Sequence, residues 1–180
     1  SKTGGYPQVM IDEIAEKSTA EGRFWSRLPN FTDVERNSLI GSADFLALNY
    51  YTSRLIAPNT EKNQEPSFDN DAGVDYFTDD EWTRGKSEWL YSVPKGLHDL
   101  LNWIKENYEN PVVIISENGF SDNGEISDDS RIEYLKGHLA SVSKAIEENC
   151  NVIGYTVWSI IDNFESVSYT HLRAHETGRN

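Results

Sequence analysis

The chain has 180 residues, 37% hydrophobic and 12% aromatic, with 30 acidic against 16 basic side chains and a formal net charge of −14. Such a composition builds a globular protein, one ordinary domain or a piece of something larger. The acidity argues against nucleic acid and anionic membrane surfaces as partners, since both need clustered Lys and Arg, and no apolar run approaches the roughly 20 residues of a spanning helix.

From the N-terminus, Ser1-Lys2-Thr3-Gly4-Gly5 has neither an initiator Met nor a signal peptide. The chain is therefore expected to be cut from a longer one, whose secretion stays open. After Tyr6-Pro7, the apolar positions Met10, Ile11 and Ile14 share one helical face, with Pro7 suited to the first turn. Asn30-Phe31-Thr32 is a glycosylation sequon, a pattern short enough to arise often by chance. Thr32 with Glu35 reads as a capping box for a short helix through Leu39. Ala43 to Tyr51, "ADFLALNYY", reads as a buried strand.

Residues 57 to 88 are polar and turn-rich, with Pro58, Pro66, Gly73 and Gly85, but Phe68, Tyr76, Phe77 and Trp82 recur among them. That mixture predicts a long ordered excursion rather than a linker. Leu97, Leu100, Leu101, Ile104 and Tyr108 then fall at helical spacing, and Pro111 is expected to stop the helix. "VVIISE" from Val112 is a second strand, with Asn118-Gly119 a turn signal after it. Asp128 or Asp129 can cap a helix striped by Ile132, Leu135, Leu139, Val142 and Ile146. "VIGYTVWSI" from Val152 reads as a third buried strand. Cys150 is the only cysteine, so no internal disulfide forms and cysteine usage does not reveal the compartment.

Continuous apolar strands alternating with helices predict an α/β fold with a parallel sheet covered on both faces. Three strands alone leave two bare edges and an uncovered face, so the expected architecture is a section of a larger sheet or barrel. The strands end at Asn49, Tyr50 and Tyr51, at Glu117 and Asn118, and at Trp158. The carboxyl ends of barrel strands carry active sites. A carboxylate, amide and phenol donors and an indole face suit a polyol. Taken singly each has a plainer use: Glu117 as the solvated end of a strand, Trp158 as a core aromatic, and Asn49 as a turn cap.

"SENGF" at Ser116–Phe120 resembles the Thr-Glu-Asn-Gly signature of glycoside hydrolase family 1, the retaining β-glycosidases. "ADFLALNYYT" (43–52), "WLYSVPKGL" (89–97) and "GYTVWSIIDNFE" (154–165) are similar to the same family in the same order, in wording near its insect β-glucosidase-like and myrosinase-like members. Ser116 replaces the usual Thr. The resemblance implies a partial TIM (β/α)8 barrel, roughly its last three strands with their helices, over residues 1–165. It implies Glu117 as nucleophile and Tyr51 as the hydroxyl that holds it. Asn49, Trp158, Glu165 and Trp89 are the implied substrate contacts, Trp158 beneath the glycone, Glu165 on sugar hydroxyls and Trp89 on the aglycone or merely packed. It also implies a β-glycoside substrate and no metal or cofactor. The oligomeric state stays unknown.

The family's acid/base lies in an Asn-Glu-Pro motif on an earlier strand, and that tripeptide does not occur here. The chain alone is thus expected neither to fold stably nor to hydrolyse glycosides, although its parent would. A thioglucosidase or a non-catalytic sugar-binding relative are the alternatives for that parent. After Glu165 the family pattern stops. Ser166 stands where a Trp belongs, and "VSYTHLRAHET" looks like translated adaptor sequence, so residues 166–180 are expected to be a non-native or disordered tail. His171 and His175 stand at a metal-binding i, i+4 spacing, but without the order or third ligand of a metal site.

Overall fold

The computed structural model describes residues 3–59, 65–122, 124 and 126–161. Glu165 and the whole of 166–180, including both tail histidines, lie outside the described residues. The chain divides into two compact units, one formed by the described residues up to Asp44 together with Arg54–Phe77, the other by Phe45–Ser53 and the residues from Thr78 onward.

In the first unit, α1 (Gln8–Ala20) starts directly after Pro7 and buries Ile14 and Ser18. The Ser18 hydroxyl donates back to Ile14 O at 2.6 Å, which lets a polar side chain sit inside. Helix α2 (Asp33–Leu39) has the expected capping box: Glu35 N–H donates to Thr32 Oγ1, and Thr32 N–H to Glu35 Oε2. The excursion contains a hairpin of β2 (Leu55–Pro58) and β3 (Val74–Phe77), with α3 (Phe68–Ala72) between them. The sequence pattern hides these strands because each is four residues long, with Pro58 ending the first and Gly73 directly before the second. Arg27 closes this unit with a two-pronged contact to Asp71 at 2.8 and 2.9 Å and with bonds to Glu21 at 3.0 Å.

The second unit is built on a parallel sheet ordered β1 (Leu46–Asn49), β4 (Val113–Asn118), β5 (Val152–Val157). β4 is central and the most buried, while β1 and β5 are the two edges. Helix α4 (Pro94–Asn107) begins with Pro94 in its first turn and buries Leu97, Leu101 and Ile104, spaced i, i+4, i+7. It ends at Asn107, before the expected Pro111. Glu109 and Asn110 adopt left-handed backbone, and the Asn110 side chain holds Asn149 O at 2.9 Å. These α4 residues meet Tyr50, Val113, Ile115, Val142, Ala145 and Cys150 in one apolar core.

Helix α5 (Asp129–Glu147) turns only part of its expected apolar stripe inward: Val142 is buried and Leu135 packs against the core, but the rest of the inward face is Tyr134, His138 and Ala145. Tyr134, His138, Val142 and Ala145 are buried, while Ile132, Leu139 and Ile146 stay exposed. The Tyr134 hydroxyl and His138 Nδ1 find partners there, whereas His138 Nε2 is buried with none among the described residues. Tyr134 hydrogen-bonds strand-end groups, and His138 Nδ1 lies 2.7 Å from Tyr134 O. Desolvation pushes the His138 imidazole down to about 4, so it is carried neutral.

Candidate functional site

At the carboxyl end of the sheet, register places Asn49 opposite Glu117 and Asn118 opposite Val157. The main chain continues that alignment past the strands. Tyr50 N–H donates to Glu117 O, and Trp158 N–H to Asn118 O, both at 2.9 Å. The three strand ends are thereby drawn to one place.

The Tyr51 hydroxyl donates to Glu117 Oε2 at 2.7 Å. A phenol O–H on a carboxylate is a charge-assisted bond that fixes which oxygen is held and where the other points. The Tyr51 ring meets Trp89 edge-on, with centroids 5.8 Å apart and planes at 82°. Trp89 keeps 40% of its surface exposed and Trp158 43%. Both indoles therefore retain faces on which a ligand could stack. Asn49 accepts a hydrogen bond from Ser116 Oγ at 2.6 Å. The structure thus brings Tyr51, Glu117 and Trp89 into contact, sets Trp158 beside Asn118, and engages Asn49 with Ser116. Glu165 lies outside the described residues.

Asn118-Gly119 is more than a turn. Asn118 belongs to β4 and is fully buried. Its Nδ2 donates to Tyr50 O at 2.7 Å and to Tyr134 Oη at 2.9 Å, and its Oδ1 accepts from the Tyr155 hydroxyl. One amide thus ties β1, α5 and β5 to the residue after Glu117. Burial pushes the Tyr155 hydroxyl up to about 12 and that of Tyr134 higher still, so both remain protonated donors. Gly119 is required for a packing reason: a Cβ there would lie 1.8 Å from Trp158 O. Tyr134, Tyr155 and this role of Asn118 escape sequence reading. The available signal is faint: a Tyr and a His at i, i+4 on α5, and a Tyr within an apolar strand.

A parallel sheet with intervening helices, and a carboxylate, a phenol and indoles collected at its carboxyl ends, is the arrangement of α/β-barrel enzymes. The sequence matches Glycosyl hydrolase family 1 over residues 1–173, and the chain belongs to that family. It is 44% identical to Myrosinase 1 of Brevicoryne brassicae over 164 residues, covering 90% of this chain and 35% of that protein. It is 41% identical to the cytosolic beta-glucosidase of Homo sapiens over 165 residues, with coverages of 90% and 35%. Among solved structures, aphid myrosinase superposes with a TM-score of 0.80 at 44% identity, over 89% of this chain and 35% of the other. A rice beta-glucosidase superposes with a TM-score of 0.77 at 32% identity, with coverages of 90% and 35%. The chain thus spans about a third of the length of these relatives. Its three-stranded parallel sheet corresponds to part of a TIM barrel, and the described strands close no barrel.

Proposed function

We propose that this chain carries the nucleophile half of a retaining β-glycosidase active site, and that Glu117 forms the covalent glycosyl-enzyme. The observation that supports this reading is the Tyr51–Glu117 hydrogen bond at the carboxyl end of the sheet, on the residues that match the family motif. In the first step a Glu117 oxygen bonds to the anomeric carbon as the glycosidic C–O bond breaks, and the leaving oxygen takes a proton from a second carboxylic acid. In the second step water attacks the same carbon and gives its proton to that group, and Glu117 leaves as carboxylate. Tyr51 holds Glu117 aimed through both steps. Trp158 offers a face for the glycone, Trp89 one for the aglycone, and Asn49 and Glu165 supply polar contacts to the sugar.

The second carboxyl must lie about 5–5.5 Å from the nucleophile in a retaining enzyme. The Asn-Glu-Pro that would provide it is not in this sequence. Turnover therefore belongs to a full-length protein containing these residues, and the 180-residue chain alone is inactive. The similarity to aphid myrosinase keeps a thioglucoside open as substrate, with the same nucleophile and a sulfur leaving group.

The test is to react the full-length protein with an activated 2-deoxy-2-fluoro-β-glucoside and map the labelled peptide. The label is expected on the peptide containing Glu117. Glu117→Gln is expected to lose both the label and turnover, by on the order of 10⁴-fold in kcat. A label on another carboxylate, or full turnover by Glu117→Gln, would refute the assignment. Stable sugar binding without turnover by the wild type would instead indicate a non-catalytic relative.

A further inference from the structure

The Tyr51 hydroxyl can hold Glu117 only if the Tyr51 backbone is itself held, and Tyr51 lies just beyond the end of β1. Tyr134 supplies a hold on it. Its hydroxyl donates to Tyr51 O at 2.7 Å and accepts from Asn118 Nδ2 at 2.9 Å. One phenol oxygen therefore connects the main chain of the residue that grips Glu117 to the side chain of the residue that follows Glu117.

That oxygen has little freedom to move. Tyr134 is 1% exposed. Its ring packs nearly parallel to Phe120, with centroids 4.9 Å apart at 27°, and to His138, at 3.8 Å and 26°. Asn118 is anchored in turn by Tyr50 O and the Tyr155 hydroxyl. A buried hydroxyl with both donor and acceptor functions used, on a ring locked by stacking, is a fixed reference point for the groups it touches.

We infer that Tyr134 is a positioning residue for glycoside hydrolysis, acting by holding the Tyr51 main chain and Asn118 so that the Tyr51–Glu117 hydrogen bond is aligned. The inference rests on the reading of Glu117 as nucleophile. Tyr134 is buried, and its hydroxyl bonds Tyr51 O and Asn118 Nδ2 rather than Glu117. Its effect passes through the Tyr51 hydroxyl, which makes it separable from a purely structural role.

The experiment is a double-mutant cycle in the full-length protein with an aryl β-glucoside, rates being normalised to active sites titrated with the fluoroglucoside. Tyr134→Phe is expected to lower kcat about 5- to 30-fold with KM within about twofold, since a small misalignment of a reacting group costs rate more than affinity. In a Tyr51→Phe background the same substitution is expected to change kcat less than about twofold, because the bond it aligns is already gone. An unchanged kcat in Tyr134→Phe, or an equal loss in both backgrounds, overturns the inference. If Tyr134→Phe does not accumulate as folded protein, Phe120→Leu replaces it, keeping the hydroxyl but removing one stacked face. A several-fold loss confined to the Tyr51-containing background is expected, and an equal loss in both backgrounds overturns the inference. Wild-type protein with no turnover overturns the hydrolase reading and this inference together, whereas an active wild type with a fully active Tyr134→Phe overturns this inference alone.

Discussion

The two units of the chain are held by different forces. The second unit has a continuous core, with Leu97, Leu101 and Ile115 essentially removed from solvent and α4 and α5 both packed into it. The first unit has little core among its described residues. Its buried side chains are Ile14 and Ser18, while Phe24 and Trp25 are 94% and 82% exposed. Its closure comes from Arg27 with Asp71 and Glu21, from Lys17 Nζ on the carbonyls of Asn70 and Asp71, and from side-chain caps at Thr32 and Ser67. Apolar burial grows with the area removed from water, whereas the caps act on their own turns and the ion pairs, partly exposed, contribute little each. The candidate site residues described belong to the unit with the core, and a carboxylate aimed to a fraction of an ångström needs that rigidity.

This contrast can be broken by substitution. The largest effect is expected in the core: Leu101→Ala removes a buried side chain and leaves a cavity, with an expected loss of about 2–5 kcal/mol. Urea unfolding of the full-length protein measures it. A loss below about 1 kcal/mol would mean that the core of the second unit is far more yielding than its burial indicates.

A smaller effect concerns pH, and it falls on the second unit because the first contains no histidine. His138 is carried neutral in the fold, pushed down to about 4 by burial, while an unfolded histidine takes up its proton near 6.5. The unfolded state therefore binds more protons between those values. The full stability is present above pH 6.5 and falls as pH drops toward 4, by about 2 kcal/mol between 6.5 and 5. His138→Phe keeps a stacked ring and is expected to flatten this slope in urea titrations. An unchanged slope would place the acid sensitivity elsewhere.

The smallest effect tests the first unit. Thr32→Ala removes the cap of α2 and is expected to cost about 1 kcal/mol. Hydrogen exchange should show it in the amides of α2 and leave α4 untouched, in keeping with a cap that acts on its own turn. Deprotection spreading into α4 would show that the two units unfold as one.

The short helix at Thr32, α4, the central strand and the strand-end residues were all legible from local pattern, because capping boxes and apolar runs are local signals. The family motifs added the pairing of Tyr51 with Glu117, two residues 66 positions apart that no local pattern connects. The hairpin of β2 and β3 was not legible, since its strands are too short to show alternation. The inward face of α5 was read only in part, through Val142 and Leu135, for a different reason. The helix carries apolar residues on more than one face, and periodicity finds amphipathic stripes without saying which of two stripes meets the sheet.

What the sequence by itself determined is therefore the family, the order of the parallel strands and their helices, and the residues gathered at the strand ends. Tertiary structure alone decided that Tyr134 and His138 turn inward, that Asn118 links two strands and a helix, and that Gly119 gives way to the Trp158 carbonyl. The physical reason is that the buried polar atoms of Asn118 and Tyr134 are satisfied by partners from distant segments, and those meetings exist only once the chain has folded.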